Sequence, residues 1–176
     1  MRARLIKTIA THRASAAAAA LALLLALLTT ACATTDSDRI PPAPVRIDFQ
    51  TVGDWTLYGV AGALDSRVFI RNQSLPVNYP YTDASATGYG GVLLVGSFTG
   101  EPAAYDLACP VEAKPSVRIA VVADEGMAEC PQCHSTYDVF RTGAPLSGPA
   151  ADKHYALRAY RESPPSSTFP YRRITP

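Results

Sequence analysis

The sequence predicts an all-β domain, antiparallel and closed into a small sandwich or barrel. Three observations carry that prediction. The 176 residues include 15 prolines and 11 glycines spread among short apolar runs, a spacing that favours strands and turns over long helices. The runs are rich in β-branched and aromatic residues, and about eight of them follow one another at close intervals. No stretch carries a convincing amphipathic helical period. The length allows one folded domain with appendages.

In chain order, residues 1–31 read as an export signal. Arg2, Arg4, Lys7 and Arg13 precede an Ala/Leu run from Ala14 to Leu28, which ends in Thr29, Thr30 and Ala31. A basic end, a limited apolar core and small residues at the cut define such a signal, and this core is shorter than the roughly 20 residues of a comfortable membrane span. Cys32 directly after Ala31 resembles a bacterial lipobox, which implies lipidation of Cys32. The protein is then expected to be exported and held at a bacterial membrane, on the periplasmic or cell-surface side, by that lipid. Residues 32–44 are polar and then proline-rich, and read as an extended tether.

The domain proper is expected over 45–161. Val45, Ile47 and Phe49 alternate with Arg46, Asp48 and Gln50, the period-two pattern of a half-buried strand. Further strands are expected at Trp55–Tyr58, Arg67–Arg71, Gly91–Val95, Pro102–Asp106, Ser116–Ala123, Tyr137–Phe140 and Tyr155–Tyr160, with a Tyr/Ser/Thr-rich loop over 76–91. Gly88-Tyr89-Gly90-Gly91 is a turn, not a nucleotide motif. Trp55 and most of the nine tyrosines are expected to pack in the core or at its rim. Residues 162–176 are proline-rich and expected to be loose or laid on the surface.

Charge excludes one class of partner. The whole chain carries a net +1, but residues 1–31 hold four basic residues and no acid, so the remainder sets 12 basic against 15 acidic side chains. A mildly acidic mature protein has no electrostatic footprint for nucleic acid. No Ser/His/Asp set, phosphate-cradling glycine loop or pair of catalytic carboxylates stands out, which favours an electron-transfer or binding module over an enzyme.

The chemistry concentrates in Cys109, within Ala108-Cys109-Pro110-Val111, and in Cys130-Pro131-Gln132-Cys133-His134-Ser135-Thr136-Tyr137-Asp138. Three readings compete. Cys130 to His134 spells C-x-x-C-H, the c-type haem attachment pattern, with His134 on the iron and His154 or Met127 as the only second axial ligand left after signal removal. That pattern normally opens a helix, whereas here a strand-like run follows. A zinc knuckle would draw on Cys109, Cys130, Cys133 and one of His134 or His154, since structural zinc wants four closed ligands. Exported thiols, however, tend to be oxidised.

The third reading is a resemblance. Tyr105 to Pro110 resembles the first ligand box of a Rieske [2Fe–2S] domain with its leading strand, and Cys130 to Asp138 resembles the second. Gly143 to Ala150 is similar to the proline loop that covers such a cluster, and Tyr155 to Tyr160 to the closing strand. The resemblance spans residues 92–161, and export signal and altered boxes together are similar to Rieske-type lipoproteins of Bacteroidetes-like bacteria. It implies a loop-borne cluster site, electron transfer with a redox partner protein, and Ser135 and Tyr137 as hydrogen-bond donors to cluster sulfur. The ligands depart from the family. Val111 stands at the first histidine, and a branched alkyl group cannot ligate a metal. Cys133 stands at the second histidine, with His134 one position out of register. A two-histidine cluster is excluded, and an iron centre would rest on Cys109 and Cys130, with Cys133 or His134 recruited. The same implied proximity supports the alternative of a cluster-free structural or binding lipoprotein, in which a Cys109–Cys130 disulfide ties the loops for about 3 kcal/mol, with Cys130–Cys133 as the competing pair.

Overall fold

The structure, a computed structural model, describes residues 34–167 and 170–176. The export signal and the lipidation expected at Cys32 lie outside the described residues. Eleven strands follow in chain order: β1 (Val45–Phe49), β2 (Ser66–Phe69), β3 (Ala86–Thr87), β4 (Val92–Gly96), β5 (Pro102–Asp106), β6 (Ala120–Val122), β7 (Met127–Glu129), β8 (Thr136–Tyr137), β9 (Pro145–Ser147), β10 (Ala159–Ser163) and β11 (Arg172–Thr175). Among the described residues, two short helices, α1 (Val52–Tyr58) and α2 (Gly148–Lys153), complete the regular structure beside two single 3₁₀ turns. The described residues are all-β in architecture.

Seven strands form an antiparallel sheet in the order β2-β4-β5-β10-β11-β1-β3. The Arg71 N–H donates to Thr87 Oγ1 at 3.4 Å, which brings the chain leaving β2 beside β3 and nearly closes the sheet. A second sheet, β6-β7-β8-β9, is inserted between β5 and β10, two strands that are themselves paired. The insertion carries all three cysteines of the described residues.

Burial explains the strands. In β1, Val45, Ile47 and Phe49 are buried while Arg46 is exposed, as the alternation predicts. β4 is apolar without alternation because both its faces are covered. Val92 and Leu94 join the interior of the large sheet with Ile47, Phe49 and Phe69, while Leu93 and Val95 pack between the two sheets with Tyr105, Leu107 and Phe140. A strand buried on both sides has no polar face to display.

Three expectations are corrected. Trp55–Tyr58 is not a strand but part of α1, which starts at a capping box: Asp54 N–H donates to Thr51 Oγ1 at 3.0 Å, and Thr51 N–H to Asp54 Oδ2 at 2.9 Å. Those reciprocal bonds satisfy orphan donors of the first turn and favour helix over strand. The tail is not loose along its whole length, because β11 lies between β10 and β1 with Ile174 fully buried. Part of the tether is also docked: Asp36 N–H donates to the His154 carbonyl at 2.8 Å, and Ile40 is fully buried. The other expected strands form, shorter at β6 and β8 and shifted at the closing strand, which runs over β10, whereas β3, β7 and β9 arise in segments where no strand is expected.

Because Ile174 sits in the middle of the large sheet, Ile174→Ala is expected to destabilise the domain by about 2–5 kcal/mol, the usual cost of a buried cavity. Urea unfolding of the variant checks this, and a loss under about 0.5 kcal/mol, typical of a surface site, would contradict the placement of β11.

Candidate metal centre

Two loops at one end of the small sheet build the site. The first leaves β5 through Leu107 and Ala108 and carries Cys109. It is held by Cys109 N–H donating to the Val117 carbonyl at 2.9 Å and Ala113 N–H donating to the Cys109 carbonyl at 2.8 Å. The second joins β7 to β8 and is closed by Cys130 N–H to the Ser135 carbonyl and His134 N–H to the Cys130 carbonyl, both at 2.9 Å. Gln132 Nε2 donates to Glu112 Oε2 at 2.9 Å and links the two loops.

The left-handed backbone of His134, φ 55°, decides which side chains converge. Histidine tolerates that conformation better than most residues. The chain reverses there, so that Cys133 joins the other cysteines while the His134 ring is 75% exposed, its Nδ1 2.8 Å from Glu129 Oε1. The sulfurs of Cys109, Cys130 and Cys133 all lie within 4.8 Å of one another, with Cys109 and Cys133 at 3.6 Å. Thiolates on one tetrahedral ion with bonds of roughly 2.3 Å are about 3.8 Å apart. The triad therefore has the spacing of ligands to a single metal ion.

Cys109 and Cys130 are fully buried and Cys133 partly so. The Tyr137 hydroxyl lies 3.5 Å from Cys109 Sγ, and Ser135 Oγ lies 3.2 Å from Cys133 Sγ. Ser135 Oγ accepts both from the Cys133 thiol and from the Ala150 N–H, the latter at 3.0 Å. Burial pushes the Cys109 thiol up to about 12, against smaller opposing effects of the Tyr137 hydroxyl and backbone N–H groups. Burial is also the largest single influence on Cys133, but hydrogen bonds from the Ser135 hydroxyl and N–H and from the Cys130 and Cys109 thiols outweigh it, and Cys133 lies below the ordinary thiol value. Burial, then the contact with Cys109, keeps the Tyr137 phenol protonated and able to donate.

The metal-free, reduced protein should therefore react unevenly with iodoacetamide at neutral pH. Cys133, half-exposed and with its pKa lowered, carries more thiolate and is expected to be alkylated well before Cys109 and Cys130. Peptide mass mapping of a time course reads the order, and equal rates at the three positions would contradict it.

Of the residues expected at the site, Cys109, Cys130, Cys133, Ser135 and Tyr137 are brought together. His134 is not: its ring bonds Glu129 at the surface and lies outside the triad of sulfurs. His154, at the exposed end of α2, is absent from the cluster of metal-capable groups, and Val111 packs against the apolar core. Cys109, Cys130 and Cys133 are unpaired in this structure. The Gly143–Ala150 segment becomes β9 and the start of α2, whose buried Ala150 bonds Ser135 from behind. Haem attachment at CPQCH does not fit, because Cys130 is fully buried and His134 turns away from both thiols. Nor does a [2Fe–2S] cluster, which needs two donors on each of two irons, where this triad converges on one point.

One residue was missed by the sequence reading. Asp106 is fully buried and collects N–H groups from Tyr89 (2.8 Å), Gly90 (3.0 Å) and Ala108 (2.7 Å), together with the Tyr160 hydroxyl (2.6 Å). It latches the Gly88–Gly91 turn and Tyr160 to the backbone just before Cys109. A lone aspartate at a strand end carries no signal that could have marked it.

Compared with family models, with curated proteins and with solved structures, the chain matches none. Among the described residues, no helix is long and apolar enough to cross a membrane.

Proposed function

We propose that this protein is an exported, lipid-anchored metal-binding domain that holds a single thiophilic ion on Cys109, Cys130 and Cys133. The carrying observation is the mutual approach of three sulfurs to within 4.8 Å. Three thiolates select soft or borderline ions, zinc and copper(I) foremost, and a set of three leaves a position open for an exchangeable ligand. Half-exposed Cys133 gives that position a route to solvent. Ser135 and Tyr137 stabilise sulfur charge from the second layer, the role that the Rieske resemblance implies for them.

The lipid on Cys32 belongs to the same proposal and would hold the site near a membrane surface. The electron-transfer role implied by the resemblance requires iron at this point; zinc or copper(I) makes the domain an ion-holding module instead.

Metal analysis of the full chain, purified without oxygen, tests the reading. About one equivalent of zinc, copper or iron per chain, lost on Cys130→Ser, is the expected result. Two irons per chain with charge-transfer bands would overturn the one-ion site in favour of a cluster. A colourless, metal-free protein with one free thiol among Cys109, Cys130 and Cys133 would overturn metal binding altogether and establish a disulfide staple.

A further inference from the structure

A cleft of about 470 Å³ opens beside the Gly88–Gly91 turn, between the segment after β2 and the chain that follows Cys109. That falls within the range of small-molecule sites, roughly 300–1,000 Å³. One wall is the segment after β2, with Arg71 and Asn72. The floor is Thr87 and the turn that follows it, and the opposite wall is Pro115 and Arg118 from the chain between Cys109 and β6. Two guanidinium groups line this cleft and no carboxylate does.

The two arginines are held differently. Arg118 is half-buried, and its Nε donates to the Gly90 carbonyl, which fixes the guanidinium plane against the turn. Among the described residues no protein acceptor takes its two terminal nitrogens. Arg71 gives one terminal nitrogen to the Ser85 carbonyl at 3.0 Å, and the other lies 3.6 Å from Asp83, a carboxylate wholly exposed to water. Such an exposed pair is weak and yields readily to a better partner. The neighbouring Asp106 carboxylate is already taken up by N–H and O–H donors on the other side of the turn. The cleft thus offers a fixed, forked donor with free N–H groups opposite a second cation. A planar fork of this kind matches a carboxylate or phosphate through paired hydrogen bonds, and a guanidinium already held in place loses little freedom on binding.

We propose that this cleft binds a small oxyanion, a phosphate or a dicarboxylate, clamped between Arg118 and Arg71. The site is separate from the thiol triad and does not depend on the metal reading. The two share only the chain between Cys109 and Ile119.

Inorganic phosphate and succinate, titrated separately into the full chain in detergent, are the probes, read by calorimetry and by the rise of the thermal midpoint with ligand concentration. Saturable binding of at least one of them is expected, weakening as salt is raised. Which arm responds identifies the oxyanion. Arg71→Gln is expected to weaken binding roughly tenfold or more, as is Arg118→Lys, which keeps the charge but loses the fork. Arg141→Gln, a residue that lies by Asp138 and Phe98 and not in the cleft lining, should change nothing, and bound metal should be the same in all variants. Should Arg118→Lys fail to fold, Arg71→Gln decides alone, since its loss leaves the Gly90 contact in place. Absence of saturation by either probe up to roughly 10 mM, or binding that survives Arg71→Gln undiminished, would overturn the proposal.

Discussion

Serine at position 130 is expected to lower the affinity of the full chain for zinc or cobalt by roughly 10²–10³-fold. Structural zinc sites with four ligands are worth about 10–16 kcal/mol, so one thiolate carries about a quarter of that. Serine keeps the size of the buried side chain but offers a poor ligand, which separates loss of the metal from loss of the fold. Cys109→Ser and Cys133→Ser should act alike, because the three sulfurs are mutually close and none is peripheral. His134→Ala should leave affinity within about threefold, since its ring is exposed and faces Glu129. Cobalt is the useful probe, as its thiolate charge-transfer bands report both affinity and sulfur count. The pH dependence has a definite sign. Free Cys109 holds its proton to about pH 12, and metal must displace it, so affinity should rise by about tenfold per pH unit on account of this group across pH 6–9. Cys133, held below the ordinary thiol value, stops contributing to the slope once pH exceeds its own pKa. A flat pH profile, or His134→Ala matching the cysteine variants, would remove the triad as the ligand set.

What could be read in advance follows from how much of each element's reason is local. β1 shows its alternation because one face meets water, and β4 shows an unbroken apolar run because neither does. Ser135 and Tyr137 were expected beside sulfur through the Rieske resemblance alone, and the loop brings both within reach of a cysteine. The failures are equally physical. Trp55-Thr56-Leu57-Tyr58 is too short a run for its period to distinguish helix from strand, and the decisive signal was the Thr51–Asp54 box just before it. β11 was hidden because it places only Ile174 fully inside, while Arg172 and Arg173 find Glu162 and Asp48 on the neighbouring strands. A basic segment between prolines looks like a tail until its partners are known. At the site, the spacing of Cys130, Cys133 and His134 could not say which of the last two turns inward. One residue's left-handed backbone settles that, and it emerges only with the fold of the loop.

Removing the Asp106 carboxylate is expected to produce the largest loss of stability of any single polar substitution among the described residues. Three backbone N–H groups and the Tyr160 hydroxyl converge on its two oxygens, and the residue is fully buried. Alanine leaves four donors without an acceptor, each costing about 1–3 kcal/mol where water cannot replace the partner, so Asp106→Ala should destabilise by roughly 4–6 kcal/mol after local relaxation. Asparagine is the sharper test. Its amide nitrogen cannot accept, so whichever way the group is turned at least one N–H of Tyr89, Gly90 or Ala108 faces another donor. A cost of about 2–3 kcal/mol follows, milder than alanine because the remaining oxygen still accepts and the Tyr160 hydroxyl can rotate to accept from the amide. Gly88→Ala should fail for the same structural reason approached from the other side. Its φ is +72°, and a Cβ there would collide with the Tyr160 hydroxyl and the Asp106 carboxylate, so the turn would have to leave the latch. Urea unfolding ranks the three variants against the parent chain. Cobalt binding adds the functional half, because the Ala108 N–H held by Asp106 immediately precedes Cys109, and a loosened loop must re-form before three sulfurs can meet on one ion. Asp106→Asn should therefore weaken cobalt binding although it removes no ligand, whereas unchanged stability and unchanged binding in that variant would show the carboxylate to be incidental to the site.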